Sequence, residues 1–335
     1  MAGIPRREFL IAAGGLVAAR LARAQAPGRL PKLGLLYPNP TSSADGNALE
    51  FFAAWLKELG WIAGKNLAFE NASGEGREDR LPALAAALVE KRVDVIWAAG
   101  PEAALAAARA TQTIPIAFYG VGYPVEQGFV DSLAKPGRNV TGLASLAGLS
   151  WAKGLEVLRE IAPGVTRLAW IAVETILQTV SGARISVKDQ SVESRAAAMG
   201  FEMRRYPVSK REDFDAVFAA ILEARAEALF CDFTALTIRE SQRIADFAND
   251  NRLPSVFGAE PFIQAGGLLS YGASRSWMLR HSFVYVDRIL RGARPADLPV
   301  ELPSRFELMV NLKTARALGL TVPPSILLRA DRIVE

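Results

Sequence analysis

The chain has 335 residues, half of them hydrophobic, which is too long for one ordinary core and too apolar for disorder. Its formal charge of +4 is concentrated at the start, where Arg6, Arg7, Arg20 and Arg23 against Glu8 supply +3, leaving about +1 on the remainder. That distribution excludes a basic nucleic-acid surface, while a single cysteine (Cys231) excludes an internal disulfide and, with a single histidine (His281), a His/Cys metal centre.

The first 24 residues have the layout of a cleavable export leader. Arg6-Arg7 precedes the uncharged stretch Phe9–Ala19, and Ala22-Arg23-Ala24 forms a small-x-small cleavage site that makes Gln25 the mature N-terminus. The paired arginines before Phe9-Leu10 resemble a twin-arginine leader, with Pro5 where that pattern has Ser or Thr. The apolar run is shorter than the roughly 20 residues a membrane span needs, and no later stretch is long and apolar enough. The sequence therefore predicts export to the periplasm, with 25–32 as a linker.

Strands and helices then alternate. Strands are expected at Leu33–Tyr37, Asn66–Asn71, Val93–Ala98 and Pro115–Tyr119, with helices at Leu49–Leu59, Glu78–Lys91 and Glu102–Ala110. The series restarts with strands at Asn139–Ser145, Arg167–Val173, Phe201–Tyr206, Ala228–Asp232 and Ser255–Phe257. Its helices are Ser150–Ile161, Ser186–Met199, Arg211–Ala224 and Ile238–Asn251. Short apolar runs between helices of this length imply right-handed βαβ units and parallel sheets covered on both faces. The fold class is thus α/β, with two doubly wound lobes. The tail is a strand at Gly267–Tyr271, a helix at Trp277–Leu290, a connector at Leu298–Pro303, a strand at Glu307–Asn311 and a helix at Leu312–Leu318. These are too few pieces for a third lobe, so they complete the first two.

The sequence lacks the usual reactive constellations. No Gly-x-Ser-x-Gly elbow, Walker loop or Gly-x-Gly-x-x-Gly after the first strand occurs. His281, the only candidate imidazole base, lies within a helical pattern, and Cys231 lies in the apolar run Ala228–Cys231, which predicts buried packing. No catalytic residue, metal or cofactor is expected. Open α/β sheets bind ligands beyond the carboxyl ends of their strands. Here those ends carry Asn39, Ser42 and Ser43, then Gly100 and Pro101, then Gly122 and Tyr123, in the first lobe. Ser145, Glu174, Asp232, Thr234 and Glu260 follow in the second, with Tyr271 near a crossing. The acids at these positions either line a cleft or cap helices, and the aromatic rings either stack on a ligand or belong to the core.

Four motifs carry a resemblance. They are Thr113-Ile114-Pro115-Ile116, Asn139-Val140-Thr141-Gly142, Gly266–Gly272 and the closing Phe306–Ala315 with Leu318-Gly319-Leu320 and Pro323-Pro324-Ser325. In this order they resemble the substrate-binding proteins of ABC transporters, in the group of tryptophan/tyrosine-type binders with a type I periplasmic-binding fold. The resemblance implies two lobes joined by a three-strand hinge, with crossings near Leu143–Ser145, Gly272–Ser274 and Leu302–Phe306. The lobes would comprise 33–144 with 274–302, and 145–273 with 303–335. It also implies a monomer that closes on a small organic ligand and delivers it to a membrane permease driven by a cytoplasmic ATPase. The same cleft would serve a sensor subunit for a receptor kinase, and an exported carboxylate-dependent enzyme is the third reading. The resembled family has Gly-Asp-Pro-Val where this chain has Gly122-Tyr123-Pro124-Val125, so a phenol replaces an acid; if that acid faces a ligand ammonium, Tyr123 removes the charge partner and offers stacking or one hydrogen bond.

Overall fold

The computed structural model describes residues 29–38, 48–145, 147–173, 176–186 and 191–335. The leader 1–24 and the candidates Asn39, Ser42, Ser43 and Glu174 lie outside the described residues. The chain begins with β1 (Lys32–Tyr37), α1 (Ala48–Glu58), β2 (Ala68–Ser73), α2 (Leu81–Glu90), β3 (Val95–Ala99), α3 (Gly100–Ala110), β4 (Ile116–Val121) and β5 (Val140–Ala144). It continues with α4 (Ala147–Ile161), β6 (Arg167–Val173), β7 (Ile176–Gln178), β8 (Arg184–Ser186), α5 (Ser191–Ala198), β9 (Glu202–Val208), α6 (Asp213–Glu223) and β10 (Ala228–Cys231). Then come α7 (Ala235–Arg239), α8 (Ser241–Asp250), β11 (Ser255–Phe257), α9 (Glu260–Gln264), β12 (Leu269–Ala273) and α10 (Arg275–Leu290). The tail is β13 (Phe306–Asn311), α11 (Leu312–Ala317), α12 (Pro324–Arg329) and β14 (Arg332–Val334).

Two compact units result. The first holds residues up to Phe118, Ala134–Gly142 and Ser282–Pro299; the second holds Tyr119–Leu133, Leu143–His281 and Val300–Glu335. Gly122 and Tyr123, read in sequence as first-lobe residues, fall in the second unit. Their segment is tied there by Ser145 N–H donating to Val121 O at 2.9 Å and Val180 N–H donating to Gln127 O at 2.9 Å.

In the first unit the sheet order is β2-β1-β3-β4-β5, and β1 pairs in parallel with both β2 and β3. Its core is aromatic. Phe52 from α1, Trp97 from β3 and Phe283 from α10 are fully buried, with ring centroids 5.1–5.3 Å apart. Each such ring removed from water contributes about 1.5–3 kcal/mol. The indole N–H of Trp97 is satisfied inside this core by the buried Ser282 hydroxyl at 2.8 Å.

In the second unit the order is β14-β13-β12-β11-β10-β6-β9, parallel except where β13 runs antiparallel to β12. Strand alternation explains why both faces are covered. Leu168 and Trp170 of β6 face one cluster with Ala228 and Phe230 of β10, while Ala169 and Ile171 face another with Leu229 and Cys231. Cys231 is thus a buried free thiol, and burial pushes its pKa well above the ordinary value. Gly272 allows β12 to cross beside β11, since a Cβ there would meet Gly258 O at 2.0 Å.

The expected helix Ile238–Asn251 is two helices, because the Thr234 cap starts α7 early and Glu240 breaks the run with φ −97° and ψ 11°. The expected helix Ser186–Met199 is shorter, α5 at Ser191–Ala198, and Arg184–Ser186 forms the β7–β8 hairpin instead. Among the described residues no helix is long and apolar enough to cross a membrane.

Candidate functional site

The candidate residues of the first unit lie where β3 gives way to α3. Gly100 has φ +85°, a left-handed conformation that a side chain resists. The N-cap position, Ala99, offers no side-chain hydrogen bond, and Pro101 follows in the first turn, where a missing N–H costs nothing. The remaining first-turn amides point out of the helix without a side-chain cap, and amides so placed favour a negative charge. Glu102 sits in that turn. Loss of hydration raises the pKa of its carboxyl group, more than its own backbone hydrogen bond lowers it, and the charge of Glu78 adds to the rise.

In the second unit, β4 ends in Gly120-Val121-Gly122-Tyr123. The Ser145 hydroxyl donates to Gly120 O at 3.1 Å, which fixes Ser145 against this strand end. Gly120 has φ +77°, and no atom lies within 4 Å of where a Cβ would stand. A Cβ at Gly122 would meet only Ser145 O, at 3.6 Å. Tyr123 is half-buried, and its carbonyl accepts from Gln127 N–H at 3.0 Å. Tyr119 immediately precedes Gly120; burial raises its pKa and the Arg275 guanidinium opposes the rise.

The other second-unit candidates are engaged within the fold. Asp232 Oδ1 accepts from the Trp170 indole at 2.8 Å and Oδ2 from Val173 N–H at 2.9 Å, which closes the carboxyl ends of β6 and β10. Thr234 caps α7 in a reciprocal box with Thr237, whose hydroxyl also donates to Asp232 O at 2.7 Å. Glu260 forms an ion pair with Arg332 and accepts from Gln264 Nε2 at 3.2 Å. Of the residues singled out in sequence, only Glu260 lines the 610 Å³ cavity that Asn249, Ile263, Asn311 and Lys313 also border. Tyr271 stacks on Phe306 with centroids 5.8 Å apart and planes within 2°. Phe233, between Asp232 and Thr234, is 44% exposed and so presents a ring at this edge.

His281 is not placed beside a nucleophile in any described hydrogen bond. Its Nε2 lies 2.7 Å from Glu301 Oε2, and its ring stacks on Trp277 at 4.6 Å. Among the described residues no three His, Cys, Asp or Glu side chains gather as a metal site. Sequence reasoning did not single out Glu102. It was legible as the acid after Gly100-Pro101.

Both units are α/β with largely parallel sheets, and such sheets bind ligands beyond the carboxyl ends of their strands. The family model for ABC transporter substrate binding proteins matches residues 47–334, and the chain belongs to that family. The chain is 23% identical over 269 residues to a tyrosine-binding protein of Clostridioides difficile, covering 80% of this chain and 75% of that protein. A Streptococcus pneumoniae ABC domain solved in complex with L-Trp superposes with a TM-score of 0.75 at 20% identity, covering 91% of this chain and 100% of that one. A conserved domain protein from Vibrio cholerae gives a TM-score of 0.75 at 25% identity with the same coverage.

Proposed function

We propose that the chain is the periplasmic binding component of an ABC importer. On this reading it leaves the cytoplasm by its 24-residue leader and, as a monomer, closes its two lobes on a small polar or aromatic organic ligand for the permease. The observation that carries the reading is the family match, which runs through both units from residue 47 to 334. The relatives' ligands, tyrosine and tryptophan, support an amino-acid-like or aromatic molecule. Recognition is assigned to the strand ends at Gly100-Pro101 of the first unit and at Gly122-Tyr123 and Ser145 of the second.

The test is a thermal-shift screen of the mature protein against amino acids, aromatic acids, sugars and nucleosides. A true ligand at 100 times its dissociation constant adds about 2.7 kcal/mol of stability, and Tyr123→Ala weakens its binding by roughly 1–3 kcal/mol if the ring packs on it. A full-length chain that stays in the cytoplasmic fraction would contradict the export half of the reading. The substitution of Arg6-Arg7 by Lys-Lys separates the twin-arginine route from the general one.

A further inference from the structure

We propose that the β7–β8 hairpin is a wall of the solute site in the second unit and that Gln127 is the residue that positions it. This rests on the solute-binding reading above, with Tyr123 as a solute contact. The hairpin starts at Ile176, just beyond the carboxyl end of β6 at Val173. Its turn is closed on itself, with Thr179 N–H donating to Ala183 O at 2.9 Å and Gly182 N–H to Thr179 O at 3.0 Å. Two hydrogen bonds join it to Gln127. Val180 N–H donates to Gln127 O at 2.9 Å, and Gln127 Nε2 donates to Gln178 O at 3.1 Å. Gln127 N–H in turn donates to Tyr123 O at 3.0 Å, inside a turn where Gly128 N–H donates to Val125 O and Phe129 N–H to Pro124 O, each at 2.9 Å. All of these residues belong to the second unit. One residue therefore sets the hairpin and Tyr123 relative to each other.

Side-chain chemistry explains why this residue is glutamine. Gln127 is 2% exposed, whereas Gln178, Ser181 and Arg184 of the hairpin are exposed. Its Nε2 supplies the donor that the Gln178 carbonyl takes. Methionine would fill the same space without a donor, and glutamate would set an acceptor against an acceptor. Among the described residues nothing donates to the Gln127 Oε1, which is buried. A buried acceptor left unpaired offsets what the Nε2 bond contributes, so the amide adds little net stability. Its consequence is the place of the hairpin, which becomes the neighbour of any solute packed on Tyr123.

The experiment reads the hairpin and the solute separately, on the native mature protein and on Gln127→Met and Gln127→Glu. Trypsin is added without solute, and cleavage after Arg184 in β8 is followed by mass spectrometry. Cleavage of a briefly opened segment tracks the population of its open form. The proposal expects Gln127→Met to be cut about fivefold faster, the factor for one lost hydrogen bond, and Gln127→Glu faster still. The melting temperature of Gln127→Met should stay close to the native one. Calorimetry then uses L-tyrosine, L-tryptophan and every compound that the thermal-shift screen detects. A compound that binds the native protein should bind Gln127→Met about fivefold more weakly and slow the cut at Arg184. Unchanged cleavage in both variants overturns Gln127 as the positioning residue. Faster cleavage with unchanged affinity overturns the wall and leaves the solute-binding reading standing. A melting temperature that falls in step with the rise in cleavage assigns Gln127 to stability alone and overturns the proposal too. Silence of the native protein toward every compound overturns the wall together with the solute-binding reading.

Discussion

The turn from β3 into α3 and the turn from β10 into α7 both carry the chain from the carboxyl end of a strand into a helix. At the second turn the side chains of Asp232, Thr234 and Thr237 have protein partners. Thr234 caps the helix, Thr237 returns the bond and donates to Asp232 O, and the Asp232 carboxylate takes the Trp170 indole and the Val173 amide. At the first, Ala99 provides no side-chain cap, Gly100 takes a left-handed conformation, and the pKa of the Glu102 carboxyl group is raised. Similar positions in two lobes thus do different work. One is closed by side-chain caps, and the other has no side-chain cap. A polar residue at a strand end is a binding candidate only if the fold has not already consumed it.

The largest effect should come from breaking the closed turn. Asp232→Ala leaves the Trp170 indole and the Val173 amide without an acceptor, and hydrogen bonds to a charged group are each worth about 1.5–3 kcal/mol. We expect a loss of about 3 kcal/mol in chemical denaturation. Ligand affinity, measured below the new transition, should stay within a factor of about two, well under the tenfold that 1.4 kcal/mol represents. A selective loss of affinity with stability intact would show that Asp232 binds the ligand, and the contrast between the turns would fail.

Gly100→Ala tests the open turn. The added Cβ meets only Glu102 Oε2, at 3.4 Å, so the cost is conformational and amounts to about 1–2 kcal/mol. Unlike Asp232→Ala it should also weaken ligand binding, because it displaces the first-turn amides. Thr234→Ala is milder. Loss of an N-cap costs about 1 kcal/mol, and the melting transition should fall without a change in dissociation constant.

Much of this architecture was legible because the signals are local. β6 was expected at Arg167–Val173 and is found there, since a run of apolar residues between helices marks a strand buried on both faces. The tail strand expected at Glu307–Asn311 is found at Phe306–Asn311, where it runs antiparallel to β12. Short elements escaped. α9 at Glu260–Gln264, the hairpin β7–β8 and the edge strand β14 are too brief to establish a period. At the site, sequence marked which residues stand at strand ends but not which are occupied. Whether Asp232 is committed depends on Trp170 and Val173, which are distant in sequence.

The smallest expected effect has the opposite sign. The Glu102 carboxyl group has a raised pKa, chiefly through lost hydration, so the folded protein holds its proton more tightly than the unfolded chain does. The sign follows from linkage. Protonation favours the folded state, so the ionised carboxylate costs stability at any pH above its folded pKa, and that cost disappears as pH falls through the folded pKa toward and below the usual 4.5. Glu102→Gln should therefore raise the melting temperature at pH 7 by less than any of the three losses above, and the gain should shrink to nothing in acid. The helix start opposes this, since a carboxylate in a first turn is ordinarily favoured. A variant that melts lower than the native protein at pH 7 would mean that the helix start outweighs dehydration, and that the open turn is already balanced by its own acid. A variant that melts higher leaves the first-turn amides of α3 without an effective internal anion, which is the condition for an external one to bind there.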